Sequence, residues 1–111
     1  MIRYDAPEKN EAPYLSFSLT DIYQYLTNVG ATNIQVYSTV KKSSNEIIFA
    51  TDELTFDGYL PAVGVSELPL SMHSTISYQM GIDTHSVAGS VILEQTSDNG
   101  YIVLDFACKE F

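Results

Sequence analysis

The sequence predicts an α+β domain in which one amphipathic helix packs on an antiparallel sheet of about four to six strands. Three observations predict it. A single segment, 19–29, carries apolar residues at helical spacing. The chain after it reads as β-branched and aromatic runs separated by turn residues. Helix and strand do not alternate along the chain, which argues against a parallel, doubly wound sheet. With 111 residues and 45% apolar content, one domain can bury its own core without a disulfide or metal staple.

Residues 1–14 contain Pro7, Pro13 and the polar stretch Glu8-Lys9-Asn10-Glu11, so they read as an extended arm ahead of a domain at 15–111. Leu15 and Phe17 alternate with Ser16 and Ser18, the pattern of an edge strand. The helix is expected from Leu19 to Val29. Leu19, Ile22, Tyr23, Leu26 and Val29 recur at spacings of three and four and form one stripe. Ser18 is the expected N-cap, with Asp21 three residues on in capping-box position. Gly30 is the expected stop, because glycine accepts positive φ.

Strands follow at Asn33–Val40 and Glu46–Thr51, joined by the turn Lys41–Asn45. Leu54 and Phe56 alternate with polar residues, and Asp57-Gly58 reads as a two-residue hairpin turn. Between Asp57 and Ser74 the pattern dissolves around Pro61, Gly64 and Pro69, although Leu60, Val63, Val65, Leu68, Leu70 and Met72 are apolar. Such a segment is either a binding loop or a cover over one end of the core; the cover is favoured. Ile76, Tyr78 and Met80 alternate toward Gly81. A last hairpin joins Val87–Thr96 to Tyr101–Cys108 through Ser97-Asp98-Asn99-Gly100. A two-residue turn there would set Glu94 opposite Asp105, and like charges destabilise a pair, so a four-residue turn is expected.

Charge narrows the function. Only five residues are Lys or Arg (Arg3, Lys9, Lys41, Lys42 and Lys109) against fourteen Asp and Glu, giving a net charge of −9 at pH 7. The negative field arises from missing cations and not from an acidic tract. Direct nucleic-acid binding and adhesion to an anionic membrane are therefore not expected. No apolar run approaches the roughly 20 residues that span a bilayer. The N-terminus lacks a basic segment followed by an apolar one, and Cys108 is the single cysteine, so a cytoplasmic location is expected.

Catalytic signatures are sparse. His73 and His85 are the only histidines, and both fall in segments read as loops. Asp83 and His85 form an Asp-x-His pair that could orient an imidazole, with Cys108 as a further site member. No metal-ligand spacing, phosphate loop or nucleophile elbow is present. No catalytic residue, metal or cofactor is therefore assigned. Asp52, Glu53 and Asp57 form the tightest acidic cluster. A solvated turn explains it more simply than a cation site, since the ordered calcium-loop spacing is missing.

The eight tyrosines complete the reading. Tyrosine supplies large contact area at low entropic cost and suits binding surfaces. Combined with isolated carboxylates, it suits a basic protein groove. The expected function is a non-enzymatic, acidic binding protein that inhibits a basic, nucleic-acid-handling partner, by covering a surface evolved for phosphate. In character this is similar to immunity proteins of nuclease toxins and virus-encoded anti-defence inhibitors. The expected contact residues are Asp52, Glu53, Asp57 and Tyr59, followed by Glu67, Leu68 and Leu70. One alternative is a structural subunit of a virion or multiprotein complex. A second is a small-molecule-binding or enzymatic domain using Asp83, His85 and Cys108.

Overall fold

A computed structural model describes residues 2–5, 11–93, 101–102 and 105–106. In chain order they form β1 (Ile2–Asp5), β2 (Tyr14–Ser18), α1 (Thr20–Asn28), β3 (Thr32–Lys41), β4 (Ile47–Thr51) and β5 (Thr55–Tyr59). After a short 3-10 turn at Val65–Glu67 come β6 (Leu70–Met80), β7 (Asp83–Leu93), β8 (Tyr101–Ile102) and β9 (Asp105–Phe106). The α+β class with one helix stands. The single expected sheet is replaced by two antiparallel sheets, ordered β5-β2-β1-β8 and β4-β3-β6-β7-β9. Period-two patterning reveals which side chains face inward but not which sheet a strand joins. Along the described strands the chain changes sheet five times, between β2 and β3, β4 and β5, β5 and β6, β7 and β8, and β8 and β9.

One core serves both sheets. Tyr4, Leu15 and Phe17 enter it from the four-stranded sheet, and Val36, Val40, Leu70, Met72, Ile76, Tyr78, Val87 and Leu93 from the five-stranded one. Ser38 and Ser74, opposite each other on β3 and β6, are also buried on this inner face. Their hydroxyls bond each other at 2.7 Å, so neither is left unsatisfied. Tyr4 differs: its hydroxyl is buried with no hydrogen-bond partner among the described residues. Burial pushes that phenol up to about 12, because the phenolate would be desolvated.

The helix follows its sequence signals in part. Gly30 sits at φ 95, its N–H donates to the Thr27 carbonyl, and the Ala31 N–H reaches back to Leu26 at 2.9 Å. This is the paired bonding of a Schellman stop. At the other end Leu19, not Ser18, occupies the cap position, and no side chain caps the helix. Ser18 Oγ instead accepts from the Thr20 N–H at 3.3 Å, while the Leu19 N–H donates to the Leu54 carbonyl at 2.8 Å. Leu19 and Leu26 are buried and Ile22 half-buried, but Tyr23 and Val29 are exposed. The buried stripe is therefore narrower than the periodicity suggested.

Several connections differ from the sequence reading. Ile2–Asp5 is extended, yet it is a paired strand flanked by β2 and β8 and not an arm. Residues 6–10 of that expected arm lie outside the described residues. Asp57-Gly58 is not a turn: both residues lie inside β5, opposite Ser16 and Leu15. A Cβ at Gly58 would meet the Phe56 ring at 3.4 Å, an ordinary contact, so neither space nor backbone conformation demands glycine there. The hairpin after β6 turns at Gly81-Ile82, between the pair Met80 and Asp83. Gly81 has φ 65, and a positive φ at the first central position is what a type II′ turn requires. His73 and His85 consequently lie in strands β6 and β7, not in loops.

The 60–69 segment acts as the cover. Leu60 and Val63 are buried, and their N–H groups donate to Pro13 and Glu11. The last hairpin keeps β7 beside β9, with Ser90 opposite Asp105 and Gly89 opposite Phe106. Neither expected turn length gives that register, because Tyr101 and Ile102 first pair with β1 in the other sheet. The turn Ser97–Gly100, and with it Glu94, lies outside the described residues.

Candidate protein-binding site

Where β3, the helix and the β4–β5 connection meet, the surface opens into a cleft of about 580 Å³. The local backbone explains it. Asn33 adopts φ 51, and the β3–β6 register shifts between Thr32 and Gln35. Such a bulge re-aims the side chains that follow it. Ile34, Gln35, Val36 and Tyr37 all line the cleft as a result. Tyr23 contributes from α1, Thr75 and Ser77 from β6, and Asp52 and Leu54 from the connection that the Leu19 N–H ties to the helix entrance. Tyr37 is 55% exposed and Tyr23 38%. Ile34 and Leu54 are half-buried and Val36 buried, so they give the cleft an apolar base. The side chains of Tyr23, Tyr37 and Asp52 make no hydrogen bond or ion pair among the described residues.

The expected contact residues divide among three places. Asp52 lines the cleft, and Glu53 follows it, exposed, with its N–H on Thr51 Oγ1 at 3.1 Å. Asp57 and Tyr59 share the outer face of β5. There the Tyr14 hydroxyl donates to the Asp57 carboxylate, and the Tyr14 and Tyr59 rings meet edge-on at 5.5 Å. Tyr59 is 73% exposed. Glu67 belongs to the cover. Lys42 Nζ lies 2.5 Å from it and also pairs with Glu46, while the Gly64 N–H donates to its other oxygen at 2.7 Å. The Lys42 bond and then the Gly64 bond hold the Glu67 carboxyl below its usual range. Leu68 is half-buried beside the core. Leu70 is 0% exposed and is a core residue, so it is not available to a partner.

Tyr23 and Tyr37 were not among the expected contacts. The signal for Tyr37 lay in strand phase: it falls on the polar side of an alternation whose other side is Ile34 and Val36. Tyr23 had no such signal, because the helical stripe counts it as an inward residue.

Each histidine contacts a neighbouring side chain. The His85 ring stacks on Tyr78 of the neighbouring strand at 5.5 Å. His73 Nε2 lies 3.0 Å from Ser71 Oγ, within reach for a base and a nucleophile. Burial, and then the Lys41 charge, lowers the His73 imidazole below its usual 6.5. The two side chains lie two residues apart on the outer face of β6, and no carboxylate among the described residues is bonded to the imidazole to orient it. Cys108 lies outside the described residues. Among the described residues no three His, Cys, Asp or Glu converge as metal ligands, and no helix is long and apolar enough to cross a membrane. No protein-family model, curated protein or solved structure matches the chain.

Proposed function

We propose that this chain is a non-enzymatic binding protein that inhibits a basic, nucleic-acid-handling partner in the cytoplasm, in the manner of an immunity protein or an anti-defence inhibitor. One observation carries the reading. The described side chains include two cations, Lys41 and Lys42, and Lys42 is held by Glu46 and Glu67. Asp52, Glu53 and Asp57 are exposed, and none of them is in an ion pair among the described residues. Exposed, unpaired carboxylates beside Tyr59, Tyr23 and Tyr37 match a cationic surface in charge and offer aromatic anchors.

The assembly-subunit reading has less support. Three features suggest it from the sequence: the polar, uncharged helix face of Thr20, Gln24, Thr27 and Asn28, the apolar 60–72 segment, and the arm at 1–14. The helix face is exposed, as that reading needs, but the other two features are otherwise engaged. Leu60, Val63, Leu70 and Met72 are buried in the chain's own core, and Ile2–Asp5 is a strand within a sheet.

The test is affinity capture with the purified chain at low and moderate salt, identified by mass spectrometry. The expected result is a basic partner whose capture weakens with salt, is competed by nucleic acid, and falls with the pair Asp52→Lys and Glu53→Lys. Partners that are uniformly neutral or acidic, or capture indifferent to salt, would refute the proposal.

A further inference from the structure

We infer that the cleft between α1, β3 and the β4–β5 connection is a socket for one arginine side chain of that basic partner. This rests on the reading that the chain engages a cationic protein, and it specifies where and through which group. The walls carry two tyrosines, Tyr23 and Tyr37, from different elements, and one carboxylate, Asp52. Hydroxyls of Thr75 and Ser77 and the amide of Gln35 complete the polar lining. Among the described residues no cation lines the cleft. A phosphate or carboxylate ligand would meet Asp52 with nothing to neutralise either charge. A purely apolar ligand would leave the Asp52 carboxylate uncompensated and would not use the hydroxyls.

A cationic side chain satisfies every group. Arginine fits better than lysine because its guanidinium is planar. It stacks on tyrosine faces and presents paired N–H donors to one carboxylate. Its remaining donors have Thr75, Ser77 and Gln35 as acceptors, and its methylene stem can lie on the apolar base. The three wall groups are unpartnered among the described residues, so no internal bond has to break before a guanidinium enters.

The experiment is an NMR titration of the full chain with N-acetyl-arginine amide, its uncharged counterpart N-acetyl-citrulline amide, and a lysine decapeptide. The expected result is saturable shift changes confined to Tyr23, Tyr37, Asp52 and their neighbours with the arginine probe, and none with citrulline. Asp52→Asn and Tyr37→Ala should each weaken the arginine probe by roughly fivefold or more, in keeping with a charged hydrogen bond and a cation–π contact. Both positions are exposed, and unchanged spectra away from the cleft will report an intact fold. Equal shifts with citrulline, or arginine shifts scattered over the surface, would overturn the socket. If the decapeptide binds in a salt-dependent way at Asp57 and Tyr59 but the cleft stays silent, the socket fails while the acidic-surface reading survives. If neither cationic probe binds, both fail.

Discussion

Replacing Ser38 or Ser74 with alanine tests how the inner face of the five-stranded sheet tolerates polar groups. Both hydroxyls are about 1% exposed, and they satisfy each other at 2.7 Å across the β3–β6 pair. Removing one leaves the other desolvated and unbonded, which costs about 2 kcal/mol. Removing both leaves two methyl groups in an apolar layer and no orphan, so the double variant should lose only about 1 kcal/mol or less. The two changes are thus expected to fall about 3 kcal/mol short of additive, in a cycle where independent sites would add to within a few tenths. Urea unfolding followed by circular dichroism measures this. With a slope of about 1–3 kcal/mol/M, each single variant should move the midpoint down by about 1 M, and the double variant by less. A double variant that loses the sum of the singles would show that the hydroxyls do not depend on each other, and the pairing argument would be refuted.

Other consequences can be checked on the same purified chain. Tyr4→Phe removes a buried hydroxyl that has no partner among the described residues, so it should be neutral or raise stability by up to about 1–2 kcal/mol; a marked loss would mean the hydroxyl is bonded. Gly58→Ala should be nearly neutral, since its Cβ would meet the Phe56 ring at an ordinary contact distance, whereas Gly81→Ala should cost about 1 kcal/mol because φ is 65. The reverse order in thermal unfolding would restore Asp57-Gly58 as the turn. Glu67 titrates lower in the folded chain than unfolded, so its stabilisation is present above its ordinary 4.5 and is lost as pH falls through the folded value. Lys42 is raised above its ordinary 10.5, so its share is present at neutral pH and is lost only at strongly alkaline pH. The melting-temperature gap between the natural chain and Lys42→Gln should therefore narrow from about pH 7 to about pH 3. A constant gap would show that the Lys42–Glu67 pair does not hold the cover.

What could be read in the sequence was local. Leu19, Ile22 and Leu26 give the helix, Gly30 its end, and the β-branched run before Lys41 gives β3. The β6–β7 hairpin was harder to see, because Ser74 occupies an inward position that alternation assigns to an apolar residue. Its partner Ser38 supplies the missing justification, and that residue lies in another strand. Asp57-Gly58 misled because the dipeptide is a strong turn signal, while the β2 residues Ser16 and Leu15 that pair with it lie far away in sequence. For the site, Asp52 was legible as an exposed acid, and Tyr37 could have been found from strand phase. The meeting of Tyr23, Tyr37 and Asp52 could not, since it depends on a bulge at Asn33 and on a chain crossing between sheets.

The position of β1 has a consequence for biogenesis. Ile2 lies in register between Phe17 on one side and Ile102 on the other. One edge of β1 therefore stays open until a partner 100 residues further along the chain, at Ile102, is in place. Such widely separated pairing slows the final folding step, because a long loop must close before its contacts form. During that interval the unpaired backbone of Ile2–Asp5 is the place where a chaperone, or a second unfinished chain, would be expected to add a strand.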